Sequence, residues 1–94
     1  MPASALGVLL RHLREKQGFS LAELAQFAEV DRAYVYRLET GEKESPSEEV
    51  LSRLIKVLKP DARHLEMLRF LAGNPGVDPA LTEYVMKEPT VTFD

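Results

Sequence analysis

The sequence predicts an all-α fold: a compact five-helix domain over residues 1–73, then a short C-terminal helical extension over 74–94. Three observations carry this. Apolar residues recur at the 3.6-residue period in successive stretches. Each stretch has its own start or stop residues, mainly Ser, Asp, Gly and Pro. No convincing sheet signal accompanies them: only Thr90-Val91-Thr92-Phe93 alternates with period two, and four residues at a terminus are weak evidence for a strand.

The first helix runs from about Ala5 to Lys16. Leu6, Leu9, Leu10 and Leu13 fall at i, i+3, i+4 and i+7, which makes one stripe, and Gly18 takes the left-handed position after its end. The second begins at Ser20. Ser20 and Glu23 form an S-x-x-E capping box, and Phe19 and Leu24 are spaced as a hydrophobic staple. Leu21, Leu24, Ala25 and Ala28 form its inward face. Asp31 caps the third helix, Val30, Val35 and Leu38 lie on its buried side, and Gly41 stops it.

Ser45 is expected to cap the fourth helix, with Pro46 at N1 and Glu48 at N3. Val50, Leu51, Leu54, Ile55 and Leu58 are its stripe. Lys59-Pro60-Asp61 breaks the chain. A fifth helix then runs to about Ala72, with Leu65, Leu68, Leu71 and Ala72 inward and Gly73 as its stop. Asn74 to Val77 is a Pro/Gly linker. Asp78-Pro79 opens a sixth, shorter helix with Leu81, Tyr84 and Val85, which Pro89 ends.

Composition narrows the function classes. The chain has no cysteine, which excludes disulfides and thiolate metal sites. Its two histidines, His12 and His64, lie far apart in sequence, so neither a metal nor another cofactor is expected. There is no glycine-rich phosphate loop and no nucleophile elbow, so no enzyme is expected. The apolar run Leu6 to Leu10 is too short for a membrane span, and a cytoplasmic protein is the default. The net charge is −3: residues 1–46 carry six Lys/Arg against seven Asp/Glu, and the remainder six against eight. A non-specific nucleic-acid binder would be basic throughout, so any DNA binding has to come from one local face.

The third helix supplies such a face. Its apolar residues leave Arg32, Ala33, Tyr36 and Arg37 free, which suits a helix laid in the DNA major groove. Arginine presents two donors to guanine O6 and N7, and Tyr36 can pack on a thymine methyl or donate to a phosphate. Arg11, Lys16 and Lys43 flank this face as phosphate candidates. Exposed Arg32 and Arg37 also have a plainer reading, as solvated charges pairing with Glu29, Asp31 or Glu42. Tyr34 reads as half-core, packing near the fourth helix.

Residues 6–72 resemble the five-helix DNA-binding domain of the Cro/phage-repressor class, the xenobiotic-response-element (XRE) family of helix-turn-helix proteins. The matching pieces are Leu9-x-x-x-Leu13-Arg14-Glu15, Phe19-Ser20-Leu21-x-Glu23-Leu24-Ala25, Val35-x-Arg37-Leu38-Glu39-x-Gly41 and Pro46-Ser47. The resemblance implies that the third helix reads DNA, with Arg32, Ala33 and Arg37 at base edges and Ser20 and Leu21 at phosphate. It implies a partly buried ion pair between Arg14 and Glu39. Glu29 stands where the family usually has glycine, a strained choice if φ is positive there. Leu21 stands where some phage repressors carry a polar residue, which leaves phosphate to the backbone N–H groups of the helix start.

These readings predict a transcriptional regulator, most simply a repressor that occupies a pseudo-palindromic operator on double-stranded DNA as a homodimer. The length leaves no room for a second, effector-binding or protease domain. The alternative is an interaction module of the same fold, such as an antitoxin or a phage-encoded inhibitor, engaging a protein partner through residues 74–94. That tail either folds back to extend the core or serves as a dimerisation element.

Overall fold

The computed structural model describes residues 4–87. It contains six helices: α1 (Ala5–Lys16), α2 (Leu21–Ala28), α3 (Arg32–Thr40), α4 (Glu48–Leu58), α5 (Ala62–Gly73) and α6 (Pro79–Lys87). Among the described residues there is no strand, and no helix is long and apolar enough to cross a membrane. Thr90–Phe93, Pro89 and the apolar Val91 lie outside the described residues.

Local chemistry sets most boundaries. Ser4 caps α1 by accepting from the Gly7 amide at 2.9 Å. Gly18, at φ 77°, closes its far end: its own N–H reaches the Glu15 carbonyl and the Phe19 N–H the Arg14 carbonyl, the paired bonds of a Schellman motif. Both halves of the Ser20/Glu23 capping box are present, at 3.1 and 2.9 Å. Asp31 caps α3 through the Ala33 amide, and Asp61 caps α5 through the His64 amide, each at 2.8 Å.

The start of α4 differs from expectation. Ser47, not Ser45, is the N-cap, accepting from the Val50 amide at 3.2 Å, so Glu48 is N1 and Pro46 lies outside the helix. The cause is tertiary: the Tyr34 hydroxyl accepts the Ser47 N–H at 3.3 Å, and Ser45 Oγ turns towards the Ala72 carbonyl. Ser45 precedes a proline, which disfavours helical backbone there, but that alone does not choose between two serines.

One core joins all six helices. Leu6, Leu9, Leu10 and Leu13 of α1 meet Leu24 of α2, Val35 and Leu38 of α3, Leu54 and Leu58 of α4, and Leu68 and Leu71 of α5. Expectations on three helices need correcting. On α5 the third fully buried position is Met67, while Leu65 and Ala72 are half-buried; on α2 Leu21 is half-buried and packs on the rim. On α6 the buried residues are Thr82 and Val85, while Leu81 and Tyr84 point outward. α6 folds back onto α1, and Arg63 of α5 ties it down by donating to the Val85 carbonyl at 2.7 Å.

Candidate nucleic-acid interface

Helix α3 is held by its two apolar residues: Val35 and Leu38 are completely buried. A 100° turn per residue then places Arg32, Ala33, Tyr36, Arg37 and Thr40 on the opposite side. Arg32, Ala33, Tyr36 and Arg37 are all exposed. Thr40 continues this face one turn beyond Tyr36; the i+4 spacing is its sequence signal, although the apolar pattern does not single it out. Arg37 sits 3.9 Å from Glu42, a loose contact between solvated groups that leaves its fork available. Arg32 takes part in no ion pair among the described residues.

Three contacts fix the angle of α3. Gly7 of α1 lies against its last turn so closely that a Cβ there would come within 2.6 Å of both the Leu38 and Glu39 carbonyl oxygens. Arg14 forms a two-pronged pair with Glu39 at 2.7 and 3.0 Å, and its remaining nitrogen donates to the Phe19 carbonyl at 2.9 Å. That guanidinium therefore joins α1, the α1–α2 corner and the end of α3. Its pKa is raised, first by the hydrogen bond to Glu39, so it stays charged under any ordinary condition.

The turn between α2 and α3 is the third. Glu29 adopts φ 56° and ψ 44°, the left-handed conformation that glycine tolerates best. The Glu29 N–H reaches the Gln26 carbonyl and the Val30 N–H the Ala25 carbonyl, so the turn is a Schellman motif with glutamate in the glycine position. Arg53 of α4 donates to the Glu29 carbonyl at 3.0 Å and is itself held by Glu49 at 2.8 Å. Sequence reasoning missed Arg53, because its partner is a backbone atom 24 residues away.

The candidate phosphate residues are not all in one place. At the start of α2, the capping box uses the Ser20 and Glu23 amides, which leaves those of Leu21 and Ala22 unpaired among the described residues. Such a helix N-terminus is a ready anion site. Glu23 stays ionised below its ordinary range, held by the Ser20 backbone N–H first and its hydroxyl second. Arg11 shares a groove with Leu21, Tyr36 and Thr40, beside the exposed face of α3. Lys43 follows α3, and its ammonium lies 5.1 Å from the centre of the Tyr34 ring. Lys16 lies apart, in a groove with Leu58, Pro60 and His64 at the α1–α5 boundary.

The two histidines, distant in sequence, are stacked with ring centres 5.9 Å apart. His64 also contacts Asp61 at 2.8 Å. No group of three or more His, Cys, Asp or Glu among the described residues is placed to hold a metal.

A model of the helix-turn-helix domain family matches residues 5–68, which spans α1 to most of α5. No curated protein and no solved structure shows a match to the chain.

Proposed function

Because this chain belongs to the helix-turn-helix domain family, we propose that it is a sequence-specific DNA-binding regulator of the cytoplasm, which acts by occupying an operator and most simply as a repressor. The observation that carries the proposal is the free face of α3. Arg32, Ala33, Tyr36 and Arg37 lie exposed on a helix whose other side is fully buried and whose ends are held by Arg14 and Arg53. In this reading α3 enters the major groove. Arg32 and Arg37 read guanines, Ala33 and Tyr36 contact base methyls or edges, and the α2 start at Ser20 and Leu21 anchors phosphate together with Arg11 and Lys43. Lys16, in the separate groove, contributes least. One such domain covers little DNA, so two copies on a pseudo-palindrome, with half-sites about 34 Å apart, supply the affinity.

Selection from random double-stranded DNA, followed by titration of the enriched site, tests this. Arg32→Ala and Arg37→Ala should each lose about 1–3 kcal/mol of discrimination at one base position, with helical circular dichroism unchanged. Wild-type affinity in both variants would remove the base-reading assignment.

The acidic balance and the exposed Leu81 and Tyr84 favour a second reading, an antitoxin-like or inhibitor-like module that binds a protein. The same selection separates the two: no enriched sequence, with a stable protein complex, supports the module.

A further inference from the structure

We propose that residues 88–94 fold back along the seam between α5 and α6 as a strap, with Val91 and Phe93 laid into the apolar slot there. This concerns how the chain covers its own surface and does not depend on DNA binding.

The slot is lined by Met67, Phe70 and Leu71 of α5 and Leu81 and Val85 of α6, with Val77 of the connecting loop. It is almost wholly apolar, and its free volume is about 30 Å³. Small-molecule sites run to roughly 300–1,000 Å³, so this one suits a side chain and not an effector. Phe70 and Leu81, on its rim, are 39% and 51% exposed.

The helices set the path. α5 and α6 are joined by the short loop 74–78, and Arg63 near the start of α5 donates to the Val85 carbonyl near the end of α6 at 2.7 Å. The two helices are therefore antiparallel, and α6 ends at Lys87 beside the start of α5. Pro89 lacks an amide hydrogen and disfavours helical backbone at Glu88, so the chain turns out of α6 there. A reversal at that point sends the next residues back along the seam. From Arg63 to Phe70 the helix rises about 10 Å. Thr90, Val91, Thr92 and Phe93 are residues that favour extended backbone, and four of them cover roughly 10–13 Å. Phe93 thus reaches the level of Phe70, with Val91 nearer Met67 and Val85. The period-two alternation sets Val91 and Phe93 on one side, facing the slot, and both threonines on the other.

The tether favours this occupant over a second copy. Only Glu88 and Pro89 separate Lys87 from the strap, and a short linker presents its segment at an effective concentration on the order of millimolar.

Nuclear Overhauser spectroscopy of the full chain, labelled with ¹³C at its methyl groups, tests the strap. The Phe93 ring protons should show cross-peaks to the Met67 and Leu71 methyls, and a mixture of labelled and unlabelled protein should show none between copies. Phe93→Ala should shift the Met67, Leu71 and Leu81 methyl resonances, leave that of Leu24 in place and lower the urea midpoint. Thr92→Ala, on the outer side, should do none of these. Absence of the Phe93 cross-peaks, their appearance between copies, or equal effects of the Phe93 and Thr92 substitutions would each overturn the proposal.

Discussion

Arg14 and Glu39 meet through two hydrogen bonds of 2.7 and 3.0 Å, with side chains only 14% and 8% exposed. Twenty-five residues separate them, and the pair fastens the last turn of α3 to α1. A buried pair of this kind does not by itself add stability over an apolar pair, but removing one member leaves the other charged and stranded.

Arg14→Met and Glu39→Gln should therefore each destabilise the fold by about 3–5 kcal/mol, and the Arg14→Met/Glu39→Leu double variant by clearly less than the sum. Urea denaturation measures this. Additive losses would show that the two side chains do not act as a unit.

At Gly7 the backbones of α1 and α3 nearly touch. Gly7→Ala pushes a methyl against two carbonyl oxygens that cannot swing aside, so a loss of about 1–3 kcal/mol is expected, with weakened DNA binding as α3 shifts. Gly73→Ala is the control: a Cβ there meets nothing, and removing the glycine from a helix end should stabilise by up to about 1 kcal/mol. Equal stability changes in the two variants would contradict the close contact.

Glu29 tests the turn. Glu29→Gly relieves the left-handed backbone and should stabilise by up to about 1 kcal/mol, the strain relief being partly offset by the freedom that glycine gains when unfolded. Glu29→Val should destabilise, because a β-branched residue tolerates positive φ worst. A valine variant as stable as wild type would mean that the turn changes shape. The Arg53 bond to its carbonyl braces the turn from which α3 leaves α2, so the proposed DNA binding should weaken together with stability in the valine variant.

Two helix caps make the fold sensitive to acid. Glu23 and Asp61 titrate below their ordinary values of 4.5 and 3.8, each chiefly through a backbone N–H, from Ser20 and His64 respectively. A carboxylate with a lowered folded pKa stabilises fully above the unfolded value and loses that contribution as pH falls through the folded one. Stability should thus fall below about pH 4.5, and Glu23→Gln should flatten part of the decline. Urea midpoints measured across this range check it; an unchanged acid profile in Glu23→Gln would exclude the cap as a source.

Lys43→Ala should weaken DNA binding about equally for all sequences and lower the slope of log affinity against log salt by roughly one. Lys16→Ala, in its separate groove, should leave the slope unchanged. Titration at several salt concentrations distinguishes them, and a larger effect from Lys16 would move the DNA path towards the α1–α5 side.

The sequence by itself determined the six helices, the Ser20/Glu23 and Asp31 caps, the left-handed stop at Gly18 and the free face of α3. Each of these depends on residues within about one helical turn of one another, where spacing dictates contact. Only the tertiary structure decided what depends on the distance between helices. It chose Ser47 over Ser45 as the α4 cap through the Tyr34 hydroxyl, put Met67 in the core while Leu65 stayed half-buried, and turned Leu81 and Tyr84 outward. It aimed Arg53 at the Glu29 carbonyl and brought Gly7 onto the end of α3. Those partners are backbone atoms or side chains from other helices, and a one-dimensional pattern does not encode the angle at which two helices cross. The residues offered for reading DNA are therefore local, while the geometry that holds them in place is not.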